Sequence, residues 1–114
     1  MSATLRDLRG SAAIAGVATF GCGEARGYTD MELLARAARA AVADAGLKMS
    51  DIDGLCTASA SATMWPMPVI EHLGIRPTYI DGTMLGGSSF VAHLLPAMQA
   101  LHFGQCNAVL VCYG

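Results

Sequence analysis

Short apolar segments alternate with helix-forming segments along the whole chain, and this alternation most strongly limits its fold. The predicted strands are residues 12–20, 55–57, 78–84 and 107–113. Helices are predicted between them at residues 29–45, 69–73 and 88–103. Strands and helices that alternate at this spacing form parallel βαβ units. The sequence therefore predicts the α/β class, and 114 residues allow one domain at most.

Local signals mark the helix boundaries. Thr29 fits the N-cap of a capping box whose other member is Glu32. Gly46 stands where a left-handed residue would close the same helix. Farther along, Pro96 lies inside the predicted helix 88–103 and removes one of its backbone hydrogen bonds. We therefore expect that helix to be kinked near Ala92.

The composition limits the classes of partner. Hydrophobic residues make up 54% of the chain and charged residues only 14%, with a formal net charge of −2. No basic segment points to nucleic acid or to an anionic membrane, and no apolar run approaches the ~20 residues of a membrane span. So much apolar material in a small domain predicts faces that are covered by a partner or by further chain. The apolar strand at the end of the chain likewise favours a truncated domain.

The cysteine and histidine spacings give no metal signature. The four cysteines are Cys22, Cys56, Cys106 and Cys112. They form no CxxC pair, and no Cys/His spacing matches a zinc site. The pattern favours free, mostly buried thiols in the reducing cytoplasm, without a metal or other cofactor.

Two glycine-containing segments are candidate sites. Gly21-Cys22-Gly23 follows a predicted strand, but Arg26 occupies the third glycine position of a dinucleotide fingerprint, so a Rossmann-type nucleotide site is disfavoured. Gly86-Gly87-Ser88-Ser89 precedes the long helix 88–103. It is either a serine cap on a tightly packed helix or a turn whose N–H groups favour an anion or thiolate. A nucleophilic serine paired with His93 is disfavoured because that side chain can project elsewhere, and Trp65 is a candidate pocket or interface anchor.

The segment EHLGIRPTYIDGTMLGGSSFVAHLLPAMQALHFGQCNAVLVCYG, residues 71–114, resembles the thiolase superfamily, especially its sterol-carrier-protein/lipid-transfer type. The opening AAIAGVATF, the helix TDMELLARAARAAVADAGL and the turn DIDGL match the same family in order and spacing. The resemblance implies a fold of two similar halves, each with a mixed five-stranded sheet around a buried central helix. Residues 1–114 would be the incomplete N-terminal part of the first domain. Helix 88–103 would be the central helix, and strand 107–113 would pair across a homodimer interface.

The resemblance also implies a function and a departure from it. Thiolases that use a covalent intermediate carry a nucleophilic cysteine in a C-A-S-G pattern at the start of the central helix. Gly86 stands at that cysteine here, followed by Gly87, Ser88 and Ser89. The implied function is an acyl-CoA enzyme of lipid or sterol metabolism, either an acyltransferase or a C–C bond lyase, that is inactive as this chain alone. The four residues would bind the CoA thioester substrate, and no residue is a confident catalytic group. An OB-fold partner protein occurs in part of the family. The alternative is a non-catalytic subunit or acyl-CoA-binding scaffold.

Overall fold

The computed structural model describes residues 4–114 and has the predicted α/β organisation. The strands are β1 (Gly54–Thr57), β2 (Tyr79–Asp81) and β3 (Val109–Cys112). The helices are α1 (Asp30–Asp44), α2 (Pro66–Leu73), α3 (Ser89–Ala92) and α4 (Leu94–His102), with short 3₁₀ turns at Leu5–Leu8 and Met49–Asp51. The described strands form one sheet in the order β2-β1-β3, and both pairings are parallel. Leu55 in the central strand faces Ile80 on one side and Leu110 on the other.

The implied five-stranded mixed sheet is thus represented here by three parallel strands. Its buried central helix is also only partly buried in residues 4–114, where Leu94 and Leu95 of α4 are 39% and 49% exposed. The core lies mainly between the sheet and the helices α1 and α2, and most of its residues belong to these elements. Its most buried apolar members are Leu34, Ala38, Leu55 and Val69.

The prediction of a buried strand at residues 12–20 is wrong. The segment forms no strand, and Ile14 and Val17 are 73% and 68% exposed. Instead, the Val17 N–H donates to Asp44 Oδ2 at 3.0 Å. Gly16 lies against the end of α1, where an added Cβ would come within 2.4 Å of a carbonyl oxygen. A strand needs a neighbouring backbone to satisfy its N–H and C=O groups, and no described strand pairs with these residues.

The predicted ends of α1 are confirmed. The Thr29 hydroxyl accepts a hydrogen bond from the Glu32 N–H at 3.1 Å, as an N-cap does. The reciprocal bond, from the Thr29 N–H to the Glu32 carboxylate, is not formed within the described chain, so the capping box is incomplete. At the other end, Gly46 has a φ of +73° and the Leu47 N–H donates to the Val42 carbonyl at 3.1 Å. This pair of features is a Schellman ending.

The other elements differ from prediction mainly in their bounds. The helix predicted at 88–103 is interrupted at His93, which separates α3 from α4. The interruption lies beside Ala92, where the sequence predicted a kink, and the prediction of one continuous helix is wrong. Pro96 has no N–H to donate to the preceding turn. The α2 helix begins earlier than predicted, with Pro66 at its first position, where proline is favoured. The strand predicted at 78–84 is limited to β2.

The start of β3 is fixed to the turn before β1 by one carboxylate. Asp53 Oδ1 accepts hydrogen bonds from the backbone N–H groups of Asn107 and Ala108 at 2.9 and 2.8 Å. The Asp53 backbone N–H in turn donates to the Ala108 carbonyl at 3.2 Å. Hydrogen bonds to a charged acceptor are stronger than neutral ones. This contact fixes the start of β3 beside the start of β1, and the parallel pairing places the carboxyl ends of all three strands on the same side of the sheet.

Candidate functional site

The segment between β2 and α3, residues 82–88, is exposed throughout and follows the carboxyl end of a strand. Ligands of open α/β sheets bind outside the carboxyl ends of the strands. Gly86 has a φ of +77°, a conformation that side chains other than glycine rarely adopt. An added Cβ at Gly86 or Gly87 would meet no atom within 4 Å. Backbone conformation, rather than lack of space, therefore explains the glycine at position 86.

The predicted site residues lie in one turn but differ in accessibility. Gly86, Gly87 and Ser88 are exposed, whereas Ser89 is fully buried beneath them. The Ser89 hydroxyl accepts from the Leu85 N–H at 2.7 Å and donates to the Gly86 carbonyl at 2.6 Å. The Ser88 hydroxyl donates to the Leu85 carbonyl at 3.1 Å. Both serine hydroxyls therefore hold the turn.

His93 is buried, with 1% of its surface exposed, and forms no pair with either serine hydroxyl. Its Nε2 lies 2.8 Å from the Thr83 carbonyl oxygen. Because a carbonyl oxygen can only accept, Nε2 is the donor. The arrangement provides no serine nucleophile activated by a neighbouring imidazole.

Asp81, the last residue of β2, holds the beginning of the same segment. Its Oδ1 accepts from the Thr83 N–H at 2.8 Å and from the Thr83 hydroxyl at 2.7 Å. Burial alone would raise the pKa of the Asp81 carboxyl, but these hydrogen bonds, with His93 and Tyr79 nearby, lower the pKa below its usual value. A lowered folded-state pKa stabilises the fold above the unfolded-state pKa. The contribution is therefore present at neutral pH and is lost on acidification.

A cavity of about 540 Å³ lies at the carboxyl ends of β1 and β2, beside the first residues of the segment 82–88. It is lined by residues 58–67 together with Ile80, Gly82 and Met84. Trp65, a candidate pocket anchor from the sequence, lies in its wall and is 8% exposed. The neighbouring Met64 has a φ of +56°, which is unusual for a residue with a side chain. Trp65 and its neighbouring methionines are separate signals in the sequence, and only the folded chain brings them to the same cavity as Met84.

The thiols are free and three of the four are buried, as predicted; only Cys22 is exposed. Burial raises the pKa of the Cys56 thiol to about 12. Burial likewise raises the pKa of the Cys112 thiol to about 12. Both thiols are protonated at neutral pH, and the thiolate is the reactive form. None of the four occupies the start of α3.

Other classes of site receive no support from residues 4–114. Within this range, no group of three or more His, Cys, Asp or Glu side chains could hold a metal ion. None of the helices in the described range has the length and apolar character that a membrane crossing requires. The segment 21–23 is not preceded by a strand, which removes the structural context of a dinucleotide-binding loop.

Relatives were found by sequence, although no protein-family model matches the chain. The chain is 35% identical over 107 residues to a steroid side-chain-cleaving aldolase from Thermomonospora curvata. The matched region covers 93% of this chain and 27% of the aldolase. It is 40% identical over 91 residues to a β-ketoacyl-[acyl-carrier-protein] synthase III from Cereibacter sphaeroides, covering 76% of this chain and 28% of the synthase. The chain thus spans about a quarter of the length of these relatives.

Solved structures agree with the sequence comparisons. The chain superimposes on an Ltp2-ChsH2(DUF35) aldolase with a TM-score of 0.77 at 30% identity, covering 87% of this chain and 26% of the other. It also matches a monomeric SCP2-thiolase-like protein type 1 from Mycobacterium smegmatis, with a TM-score of 0.68 at 26% identity, covering 86% and 22% of the two chains. OleA from Xanthomonas campestris shares the fold at 21% identity, with a TM-score of 0.67 and coverage of 78% and 28%. By both sequence and fold, the chain belongs to the thiolase superfamily and corresponds to a segment of its members.

Proposed function

We propose that this chain is part of a thiolase-like acyl-CoA enzyme of lipid or sterol metabolism, acting as an acyltransferase or as a C–C bond lyase. The main support is the exposed turn Gly86–Ser88, which follows Met84 in the wall of the 540 Å³ cavity at the carboxyl ends of the strands. A steroid side-chain-cleaving aldolase and a β-ketoacyl synthase among the relatives support the same reaction classes. The free thiols also support our placement of the protein in the cytoplasm.

In this proposal, the turn binds the thioester and the cavity receives the acyl group. The substrate-binding segment consists of Gly86, Gly87, Ser88 and Ser89. Ser89 is buried and contributes by holding the turn through its hydroxyl. Backbone N–H groups at such a turn stabilise negative charge on a thioester oxygen. A cavity of a few hundred cubic ångströms suits a small-molecule ligand. Exposed methionines at its rim, Met64, Met67 and Met84, can adapt to apolar ligands of different shape.

The reaction that we propose forms no covalent acyl intermediate on this turn. Gly86 has no side chain, and the hydroxyls of Ser88 and Ser89 already bond to the turn. No described residue beside the turn is a free nucleophile or base, so we assign no catalytic residue. We expect no turnover by this chain alone. The substrate that it binds is a CoA thioester, and we expect no other cofactor.

The same observation favours a second candidate function. A thiolase-shaped subunit that binds acyl-CoA, or supports a catalytic partner, needs a thioester-binding turn but no nucleophile. The Ltp2-ChsH2(DUF35) aldolase is named for two components. An OB-fold partner protein is therefore part of our proposal. Turnover that requires an added partner would favour the enzyme, whereas acyl-CoA binding without turnover in any such mixture would favour the scaffold.

Binding can be measured through Trp65, the single tryptophan of the chain. Titration with acetyl-CoA and with a longer acyl-CoA should change its fluorescence saturably, because Trp65 lies in the cavity wall. Gly86→Val should weaken binding about tenfold or more, because it disturbs a left-handed turn. Gly104→Val is the matched control, since Gly104 has a φ of +75° and open space but ends α4. Equal affinities for both variants, or saturation by NAD instead of acyl-CoA, would contradict the proposal.

We also propose that the protein forms a homodimer through residues 107–113. Strand β3 lies at one edge of the described sheet. A groove of about 520 Å³ separates this edge from the extended segment 12–18, with α1 and α4 contributing to its walls. An unpaired strand edge readily pairs with another chain. Sedimentation at micromolar concentration should show association, together with slow hydrogen exchange in β3. A folded monomer at these concentrations would refute the dimer.

A further inference from the structure

The segment between β2 and α3 is held by side chains of the sheet and of the helix at several points. Asp81 binds the N–H and hydroxyl of Thr83, and His93 binds the carbonyl of the same residue. Both backbone polar groups of Thr83 are therefore satisfied by side chains. Thr83 is itself exposed and directly precedes Met84, which lines the cavity.

A second contact lies one helical turn before His93. Ser89 and His93 are four residues apart, and the His93 N–H donates to the Ser89 carbonyl at 2.8 Å. Side chains at this spacing lie on the same helix face. The Ser89 hydroxyl binds the backbone at Leu85 and Gly86, so the two buried side chains hold the segment at both of its ends.

The position of the His93 ring is fixed independently of the turn. Its ring packs edge-on against Phe90, with centroids 5.7 Å apart and an interplanar angle of 89°. Phe90 in turn lies 4.9 Å from the Tyr113 ring, just after β3. The imidazole is therefore held by aromatic contacts as well, and it can act as a fixed hydrogen-bond donor to the exposed segment.

We propose that His93 is a positioning residue, which together with Ser89 holds residues 83–86 in the conformation that places Met84 in the cavity wall. It acts through the Thr83 carbonyl rather than on the substrate. The inference that this affects acyl-CoA affinity rests on the proposed function, whereas the conformational role does not.

The test compares His93→Phe with His93→Gln. Phenylalanine keeps a ring beside Phe90 but removes the donor, whereas the glutamine amide retains a donor. His102→Phe is the matched control, because His102 is an exposed histidine in α4. We expect hydrogen exchange at Thr83 and Leu85 to accelerate about tenfold in His93→Phe, the factor expected for one lost hydrogen bond. Exchange should stay near wild type in His93→Gln and His102→Phe, and acyl-CoA affinity should follow the same order.

Unchanged exchange at Thr83 and Leu85 in a folded His93→Phe variant would overturn the inference. If that variant does not fold, long-range ¹H–¹⁵N correlation on the wild-type protein decides the matter. It should show His93 as the Nε2–H tautomer with a slowly exchanging ring proton, and an Nδ1–H tautomer would overturn the inference. Accelerated exchange in a protein that binds no acyl-CoA would support the positioning role and refute only the proposed function.

Discussion

Incubation of the protein with acetyl-CoA or a 3-ketoacyl-CoA should leave no acyl group on residues 86–89. A covalent thiolase mechanism needs a thiolate at the start of the helix, where N–H groups lower the thiol pKa. Gly86 offers no side chain there, and the hydroxyls of Ser88 and Ser89 are bonded to the turn. The measurement is acid quenching followed by peptide mapping with mass spectrometry. It applies to this chain and to any longer protein that contains it.

The positions of any adducts would distinguish the possible errors. A stoichiometric adduct on Ser88 or Ser89 would restore a covalent mechanism at this turn. An adduct on Cys56, Cys106 or Cys112 would contradict the matching of Gly86 with the nucleophilic cysteine. None is expected, because burial raises the pKa of each thiol. Exposed Cys22 serves as an internal control, because iodoacetamide should label it in the native protein and so report that thiol chemistry is detectable.

Leu55→Ala should lower the free energy of unfolding by about 2–5 kcal/mol, the usual cost of removing a buried leucine side chain. Leu55 lies in the central strand and is 0% exposed. The change is large for a small domain, whose total stability is commonly about 5–15 kcal/mol. Urea unfolding followed by far-UV circular dichroism would measure it.

Ile80→Ala is the matched control for this experiment. Ile80 faces Leu55 in the register of β1 and β2, but it is 41% exposed. Its replacement should cost roughly 1 kcal/mol or less, since partly exposed strand positions depend weakly on the side chain. Equal losses for the two variants would contradict the difference in burial between Leu55 and Ile80.

Much of the architecture follows from local sequence signals. The Thr29 N-cap, the left-handed Gly46 and the break near Pro96 each depend on residues within one or two turns. Such preferences act whatever the rest of the chain does. The order of strands and helices likewise follows from apolar periodicity, and it was enough to predict parallel βαβ units.

The candidate site was only partly predictable, because its geometry depends on packing between elements rather than on local signals. The sequence identified Gly86–Ser89 as a turn at a helix start, but it gave no direction for the side chains of Ser89 and His93. Their hydrogen-bond partners lie three to ten residues away and depend on how α3 packs against the segment that follows β2. The cavity, likewise, exists only because residues 58–67 fold over the end of β2 beside Met84.

Residues 12–20 illustrate the limit most clearly. Their apolar composition suits a buried strand, and the sequence alone gives no reason to reject one. Strand formation, however, depends on a neighbouring backbone that supplies hydrogen bonds. The described sheet ends at β3, and Gly16 instead packs against the last turn of α1. Local sequence determined where α1 begins and ends, whereas tertiary contacts decided which segments pair as strands and which polar side chains hold the candidate site, because those depend on how separate elements pack together.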